Sequence, residues 1–566
     1  MKESDKNKQK RHNAVTFKPY QQDQIWLLPP SLGELIPSGH IVRLVNTMID
    51  GIDLKLILNA YEGGGASNYH PRMMLKALIY GYLCKKYSSR DIERELKENI
   101  CFMWLCGMQQ PDHNTLNRFR KGQLKDTVKT VFAHILSMLI EEGYVRMQDY
   151  FVDGTKMESV ANRYTFVWAK NVERFKSGLL DKIATLVTQI EQVNDEEEEA
   201  AKKKAQAEDL KEELKTSEAL RQRIAKLNDN MAAQKVENKK LKSQLKKLEK
   251  EYLPKLMEYE NHEQLLDGRN SYSKTDPDAT FMRTKDDHLQ NGQLKPCYNW
   301  QFGTENQFVV NYTTHQTSSD MSVFTSHMDD TLALLDSIDA PKPKRVSADA
   351  GYGSEENYEY LEEHEMEAYV KYPGYYAEGK KNKKKPFHQR YLYYNEIEDY
   401  FICPMGQKMV YRFTTNKTTS TGYQQKVRCY EAQNCEGCPL RGACFKAKGN
   451  RINKLNLNAY NYRQAAKQRL NTLRGRKTKI QRNIDVEPVF GHIKQCRHFR
   501  RFLLKGLDGV NTETGLLVIA HNLKKLWVNR EIPRIPMPNP FKKPPNQAAI
   551  VPISSQMELK WEKLRA

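Results

Sequence analysis

Apolar positions along the chain change period several times, and each change marks a different kind of element. From about Leu32 to Leu139 they fall three and four residues apart, as at Met74, Leu75, Leu78, Ile79 and Leu83, which is the spacing of an amphipathic helix face. A helical domain is predicted there. Ser88-Ser89-Arg90-Asp91-Ile92 and Asp112-His113-Asn114-Thr115 put capping residues before two of its helices, the second ending in Arg118, Phe119, Arg120 and Lys121. Such a pair reads equally as a helix-turn-helix or as an ordinary helical pair with a solvated basic face.

Strand signals follow. Asp149-Tyr150-Phe151-Val152 predicts a strand that ends at the turn Asp153-Gly154-Thr155. From about Phe175 to Tyr259 the chain is dominated by Lys, Glu, Gln, Ala and Leu. Within it Leu220, Ile224, Leu227, Met231, Gln234, Asn238, Leu241, Leu245, Leu248 and Tyr252 alternate steps of four and three, the a and d positions of a coiled coil. An earlier stripe through Leu179, Ile183, Leu186, Ile190 and Val193 makes a hairpin closed near Glu196 to Glu199 the favoured reading, ahead of a coil between two chains.

Tyr298 to Phe302 and Gln307 to Tyr312, separated by Gly303 to Asn306, predict a β-hairpin. Lys344 to Ala348 predicts a further strand ending at Asp349, with a helix after it through Tyr360. Residues from about Tyr372 to Gly449, including the Lys380 to Lys385 run, are basic, Tyr-rich and Cys-bearing and read as an inserted module. A helix is expected to begin near Asp485, and the Pro-rich stretch from Glu531 is expected to be an extended tail.

Length and charge narrow the function. At 566 residues, two to four structural units are expected. Lys and Arg number 90 against 70 Asp and Glu, a net +20, which favours a polyanionic partner, nucleic acid ahead of an anionic membrane surface. Met1 to His12 mixes charges without an apolar core, and no apolar run approaches the roughly 20 residues of a membrane helix. A soluble, cytoplasmic protein is expected. Half of the 10 cysteines crowd between Cys403 and Cys444, the pattern of a local metal site rather than of a disulfide framework.

The chemistry concentrates in three carboxylates. Phosphodiester transfer by two divalent ions requires hard oxygen ligands reaching one point from rigid elements, and Asp153 and Asp349 each end a predicted strand. In Glu487-Pro488-Val489-Phe490-Gly491-His492-Ile493-Lys494 the Glu and Lys are seven apart, nearly two helical turns, so both project from one face. Pro488 suits a first helical turn. Singly, each Asp reads more readily as a turn residue and Glu487 as a favourable charge at a helix N-terminus.

Asp153-Gly154-Thr155-Lys156, the Tyr298-Asn299-Trp300-Gln301-Phe302 run, Ala348-Asp349-Ala350-Gly351-Tyr352 and Asp485 through Lys494 together resemble the DDE insertion-sequence transposases of the E-x6-K type, which have an RNase H-like core. The resemblance extends from the helical N-terminal region to about Val528. It implies that Asp153, Asp349 and Glu487 bind two Mg2+ or Mn2+ ions and that Lys494 contacts DNA near the cleaved bond. Metal-activated water would attack in line at an element end, and the freed 3′ hydroxyl would then attack a second strand. The chain departs from the fuller signature, which has a Tyr and an Arg where Ile480 and Asn483 stand; Arg482 is the neighbouring candidate for the Arg.

Secondary signals fill in the picture. Cys403, Cys435, Cys438 and Cys444 make a candidate zinc set, against the alternative of reduced, buried cysteines. Arg497, Arg500 and Arg501, interleaved with Phe499 and Phe502, and Arg118 and Arg120 upstream, are candidate phosphate contacts, against an amphipathic segment that merely solvates its arginines. Trp168 and Trp300 are expected in the core rather than stacked on a base.

The expected fold is α+β and multidomain, with an RNase H-like mixed sheet flanked by helices. Its divisions are a helical DNA-binding domain (1–140), three core segments (141–172, 263–368 and 479–529), a coiled-coil insertion (173–262), a basic Cys-containing insertion (369–478) and a Pro-rich tail (530–566). Double-stranded DNA is the expected partner, bound by a homodimer that pairs two element ends. The alternatives are an RNase H-fold nuclease without strand transfer and a transposase-derived DNA-binding protein without catalysis.

Overall fold

The computed structural model describes residues 31–55, 58, 68–191, 209–233, 239–284, 292–378 and 387–531. The Pro-rich tail, the Lys380 to Lys385 run, the Glu196 to Glu199 run, Val193, Gln234 and Asn238 lie outside them. The chain is an α+β multidomain protein.

The N-terminal helices are α1 (Ile41–Asp50), α2 (Pro71–Leu83), α3 (Ser89–Glu98), α4 (Ile100–Leu105), α5 (His113–Lys121) and α6 (Val128–Glu141). Capping follows the sequence signals: Arg90 N–H donates to Ser88 Oγ at 3.2 Å and Thr115 N–H to Asp112 Oδ1 at 2.7 Å. Helix α2 is buried along nearly its whole length, so it forms the middle of this layer rather than its surface.

Strand β1 (Asp149–Glu158) and the short β2 (Phe166–Trp168) lead into α7 (Ala169–Glu191), α8 (Ser217–Ala233), α9 (Lys239–Lys247), a π-helical turn (Leu248–Tyr252) and α10 (Leu253–Leu266). Pro254, which has no N–H to return to residue 250, lies two residues past the end of the π turn. These helices enclose a core of their own, with Leu179, Ile183 and Ile190 packed against Leu220, Ile224, Leu227, Leu241, Leu245, Leu248 and Leu256. Helix α8 packs on α10. The stripe expected to run along one helix from Leu220 to Tyr252 is therefore divided between helices that face one another within the chain. The base of this unit is closed by β2 pairing with β3 (Ser271–Ser273).

The main sheet adds β4 (Thr280–Arg283), β5 (Leu294–Glu305), β6 (Phe308–His315), then α11 (Phe324–Ser337), β7 (Arg345–Ser347), α12 (Glu355–Glu363) and β8 (Glu367–Ala368). Strands β4 and β6 pair one edge of β5, β1 pairs the other, and β7 and β8 follow. β5 is antiparallel to β1, β4 and β6, whereas β7 is parallel to β1 and to β8. The expected β5–β6 hairpin is present. β1 runs longer than expected, because β5 pairs it from Phe151↔Thr304 to Glu158↔Cys297. Asp153 is consequently inside a strand, not at its end.

A second, antiparallel sheet is formed by β9 (Tyr394–Asn395), β10 (Tyr400–Ile402), β11 (Lys408–Thr418), β12 (Gln424–Ala432) and, after α13 (Arg441–Cys444), β13 (Ile452–Leu455). Its small core is Phe401, Met409, Tyr430 and Ala432. The chain then returns to the main sheet through α14 (Leu457–Asn471), α15 (Leu473–Gly491) and α16 (Gly506–Glu531). α15 packs on β1, β5 and β7, while α16 packs on β6, α2 and α6 and so joins the N-terminal helices to the sheet.

Candidate active site

The parallel pairing of β1 with β7 matches Asp149, Tyr150 and Phe151 to Arg345, Val346 and Ser347. Asp153 stands two residues further along β1 and Asp349 two residues past the end of β7, so the register leads both carboxylates toward the same end of the strand pair. Asp153 Oδ1 accepts from Gly154 N–H at 2.9 Å, and its Oδ2 pairs with Arg482 Nη1 at 3.4 Å. Asp349 Oδ1 accepts from Gly351 N–H at 2.7 Å, an Asx-type turn. Both side chains are half-buried.

Helix α15 supplies the third element. It starts at Leu473, so Glu487 and Pro488 lie near its C-terminal end rather than in a first turn. The proline is tolerated because the carbonyl it cannot serve, that of Ile484, accepts from Gln307 Nε2 at 2.8 Å. Asp485 anchors the same turn, its Oδ1 accepting from Thr304 Oγ1 at 2.7 Å and Gln307 N–H at 3.0 Å. Burial pushes the Asp485 carboxyl above its ordinary range. A π-helical turn, His492–Cys496, continues the helix. It carries Lys494, whose Nζ donates to Thr155 Oγ1 at 2.6 Å and Lys156 O at 3.0 Å. Glu487 is exposed. Among the described residues no three His, Cys, Asp or Glu side chains are gathered closely enough to hold an ion. The β1–β7 register leads toward both aspartates, and Glu487 is borne by α15.

The family described as Transposase DDE domain matches residues 402–527, and the family described as Transposase domain (DUF772) matches residues 30–122. The two matches support an insertion-sequence DDE transposase. The DDE match contains Arg482, Glu487 and Lys494, whereas neither match reaches Asp153 or Asp349. No curated protein and no solved structure matches the chain. No helix among the described residues is long and apolar enough to cross a membrane.

The basic residues expected to touch DNA divide into two groups. Arg118, Arg500 and Arg501 are exposed. Arg120 and Arg497 are not: each is 3% exposed, Arg120 donating to Tyr82 Oη at 3.1 Å and Tyr87 O at 3.0 Å, and Arg497 to Tyr82 O. Their guanidinium groups are spent on internal acceptors, which removes them from reach of a phosphate backbone. Arg482 is likewise buried, against Asp153.

The cysteines of the second sheet do not converge. Cys403 Sγ accepts from Met405 N–H at 3.3 Å and Cys435 Sγ from Arg451 N–H at 3.4 Å, while Arg451 Nη1 lies 2.7 Å from Cys444 Sγ. Among the described residues these thiols form no group of three or more side chains placed to hold an ion.

Trp300 is fully buried, with Nε1 donating to Thr514 Oγ1 at 2.9 Å. It stacks with Phe302 and Phe499, and Phe302 stacks with Phe490 of α15. One residue that the sequence reading missed is Asp320, the shared acceptor of Lys156, Asn299 and Gln301. The signal was present in the alternation of polar Asn299 and Gln301 with aromatic Tyr298, Trp300 and Phe302, which assigns the two amides to a separate sheet face.

Proposed function

We propose that the chain is a DNA transposase that cuts element ends and joins them to target DNA, with Asp153, Asp349 and Glu487 as its acidic triad. The parallel register of β1 and β7 carries this reading, since it supports a pair of carboxylates at one point of the sheet beneath the helix that bears Glu487. The mixed sheet, antiparallel on one side of β1 and parallel on the other, supports an RNase H-like core. The separate helical and antiparallel units support insertions at 173–262 and 369–478, outside that core.

Bound Mg2+ or Mn2+ would supply the Lewis acidity and the activated water for in-line attack on a phosphodiester. Asp153 and Asp349 have the hard oxygen donors such ions prefer, and Glu487 would have to approach from α15 to complete the set. Lys494, fixed to the strand that carries Asp153, gives a cation for a nearby phosphate. Arg482 balances the Asp153 charge in the free protein. The net charge of +20 and the exposed Arg118, Arg500 and Arg501 suit a DNA duplex, and pairing of two element ends calls for a homodimer on DNA, associated with the nucleoid.

Duplexes carrying the terminal repeats that flank the coding region, incubated with the full chain and Mn2+, test the proposal. Cleavage at the repeat ends followed by joining of the labelled ends to target DNA is expected. Cleavage without joining would replace it with the nuclease reading, and binding without cleavage with the non-catalytic one.

A further inference from the structure

The sheet face opposite α15 carries a polar network that the carboxylate chemistry leaves unused. Asp320 precedes the helical turn that opens α11. Its Oδ1 accepts from Lys156 Nζ of β1 at 2.7 Å, and from Asn299 Nδ2 and Gln301 Nε2 of β5 at 2.9 and 3.0 Å. Gln301 Oε1 in turn accepts from the phenol of Tyr352. Tyr352 also closes the turn that begins at Asp349, its N–H donating to Asp349 O at 3.2 Å. Asn299, Gln301 and Tyr352 are all buried.

The carboxylate dictates the direction of this chain of bonds. An ionised carboxylate only accepts, so Gln301 turns its nitrogen to Asp320 and its oxygen to Tyr352, which must then donate. A phenol keeps its proton at neutral pH, so Tyr352 serves as the donor. Gly154, next to Asp153, leaves the space. A Cβ there would stand 2.3 Å from Gln301 Nε2 and 3.0 Å from Asp320 Oδ1.

The geometry points to Asp320 as a positioning residue for the aspartate pair: through Gln301 and Tyr352 it ties the turn that carries Asp349 to the strand that carries Asp153. The inference rests on the proposed role of those aspartates. Groups that orient metal-binding side chains from behind are typically worth about 10–100-fold in metal affinity.

The test uses the full chain and its Asp320→Ala, Asp320→Asn, Tyr352→Phe and Asp153→Asn variants, with two readouts. Hydrogen exchange of the amides from 349 to 353 reports the tie itself. Mn2+ affinity, measured with the metal alone by electron paramagnetic resonance, reports its consequence. Asp320→Ala and Tyr352→Phe are expected to speed exchange in that turn about fivefold and to weaken Mn2+ binding at least about tenfold. Asp320→Asn, which keeps an acceptor oxygen, is expected to restore most of both. Unchanged exchange in Tyr352→Phe, a substitution too small to unfold the chain, would overturn the tie. Faster exchange with unaltered Mn2+ affinity would overturn the positioning role. If the unmodified chain binds no Mn2+, or Asp153→Asn binds it equally well, the reading of the aspartates fails, while the exchange data still judge the tie.

Discussion

Along β1, Asp153 and Thr155 meet α15, while Tyr150, Gly154 and Lys156 meet the opposite side of the sheet, and the two sides are satisfied to different degrees. On the first, Arg482 holds Asp153 across 3.4 Å with its buried Nε lacking a hydrogen-bond partner, and Glu487 is exposed. On the second, Lys156, Asn299, Gln301 and Tyr352 are linked through Asp320, and Tyr150 Oη lies 3.0 Å from His327 Nε2 and 2.9 Å from Thr331 Oγ1. Buried polar groups stabilise a fold when every partner is present and destabilise it when one is lost. The second side is built as structure, and on the proposed reading the first side is where a ligand is received.

Substitutions on the two sides should therefore separate activity from stability. Asp349→Ala is expected to lower metal-dependent cleavage at least about a thousandfold with duplex binding and the urea midpoint unchanged; a shifted midpoint would mean that Asp349 serves the fold. Gln301→Leu should do the reverse, stranding the Tyr352 hydroxyl and removing one of three donors from Asp320, at a cost of about 1–3 kcal/mol in urea unfolding. A wild-type midpoint would show that the network contributes nothing.

Acid should act through the structural side. Burial holds His327 down to about 3 and His315 down to about 4, with Asp330 opposing both and Lys129 adding to the depression of His327. Folded-state values below the unfolded one mean that the unfolded chain takes up the protons first. Stability is then fully present above about pH 6.5 and falls as pH drops through the window toward 4 and 3, at about 1.4 kcal/mol per pH unit for each histidine. His327→Asn should flatten that slope, and an unchanged slope would place the acid sensitivity elsewhere. The smallest effect expected is at Arg482. Removing its charge by Arg482→Gln should tighten Mn2+ binding about tenfold, as an opposing cation beside a carboxylate is lost; equal or weaker affinity would show that Arg482 does not compete for Asp153.

Much of this was legible in the sequence where it is local. The caps at Ser88 and Asp112, the β5–β6 hairpin and the strand leading to Asp349 follow from turn chemistry and period. What was not legible depends on partners distant in sequence. Asp153-Gly154 reads as a turn, yet β5 pairs straight past it, because Gly154 admits Gln301 and Asp320 rather than bending the chain. Pro488 reads as a helix start, yet Gln307 satisfies the carbonyl it leaves free and the helix runs on from Leu473. Arg120 and Arg497 read as surface cations, and only the packing of α2 against α5 and the stretch after α15 turns them inward. Asp320 carries no motif, since its meaning arises from three donors on two strands.

The central claim is that Asp153, Asp349 and Glu487 act at one point. A structure of the full chain with Mn2+ and a cleaved repeat end tests it most directly. The account predicts Asp153 freed from Arg482, Glu487 drawn in from α15, and two ions about 3.5–4 Å apart coordinated by all three carboxylates. Ions bound elsewhere, or Glu487 still apart from the aspartates with DNA in place, would contradict it.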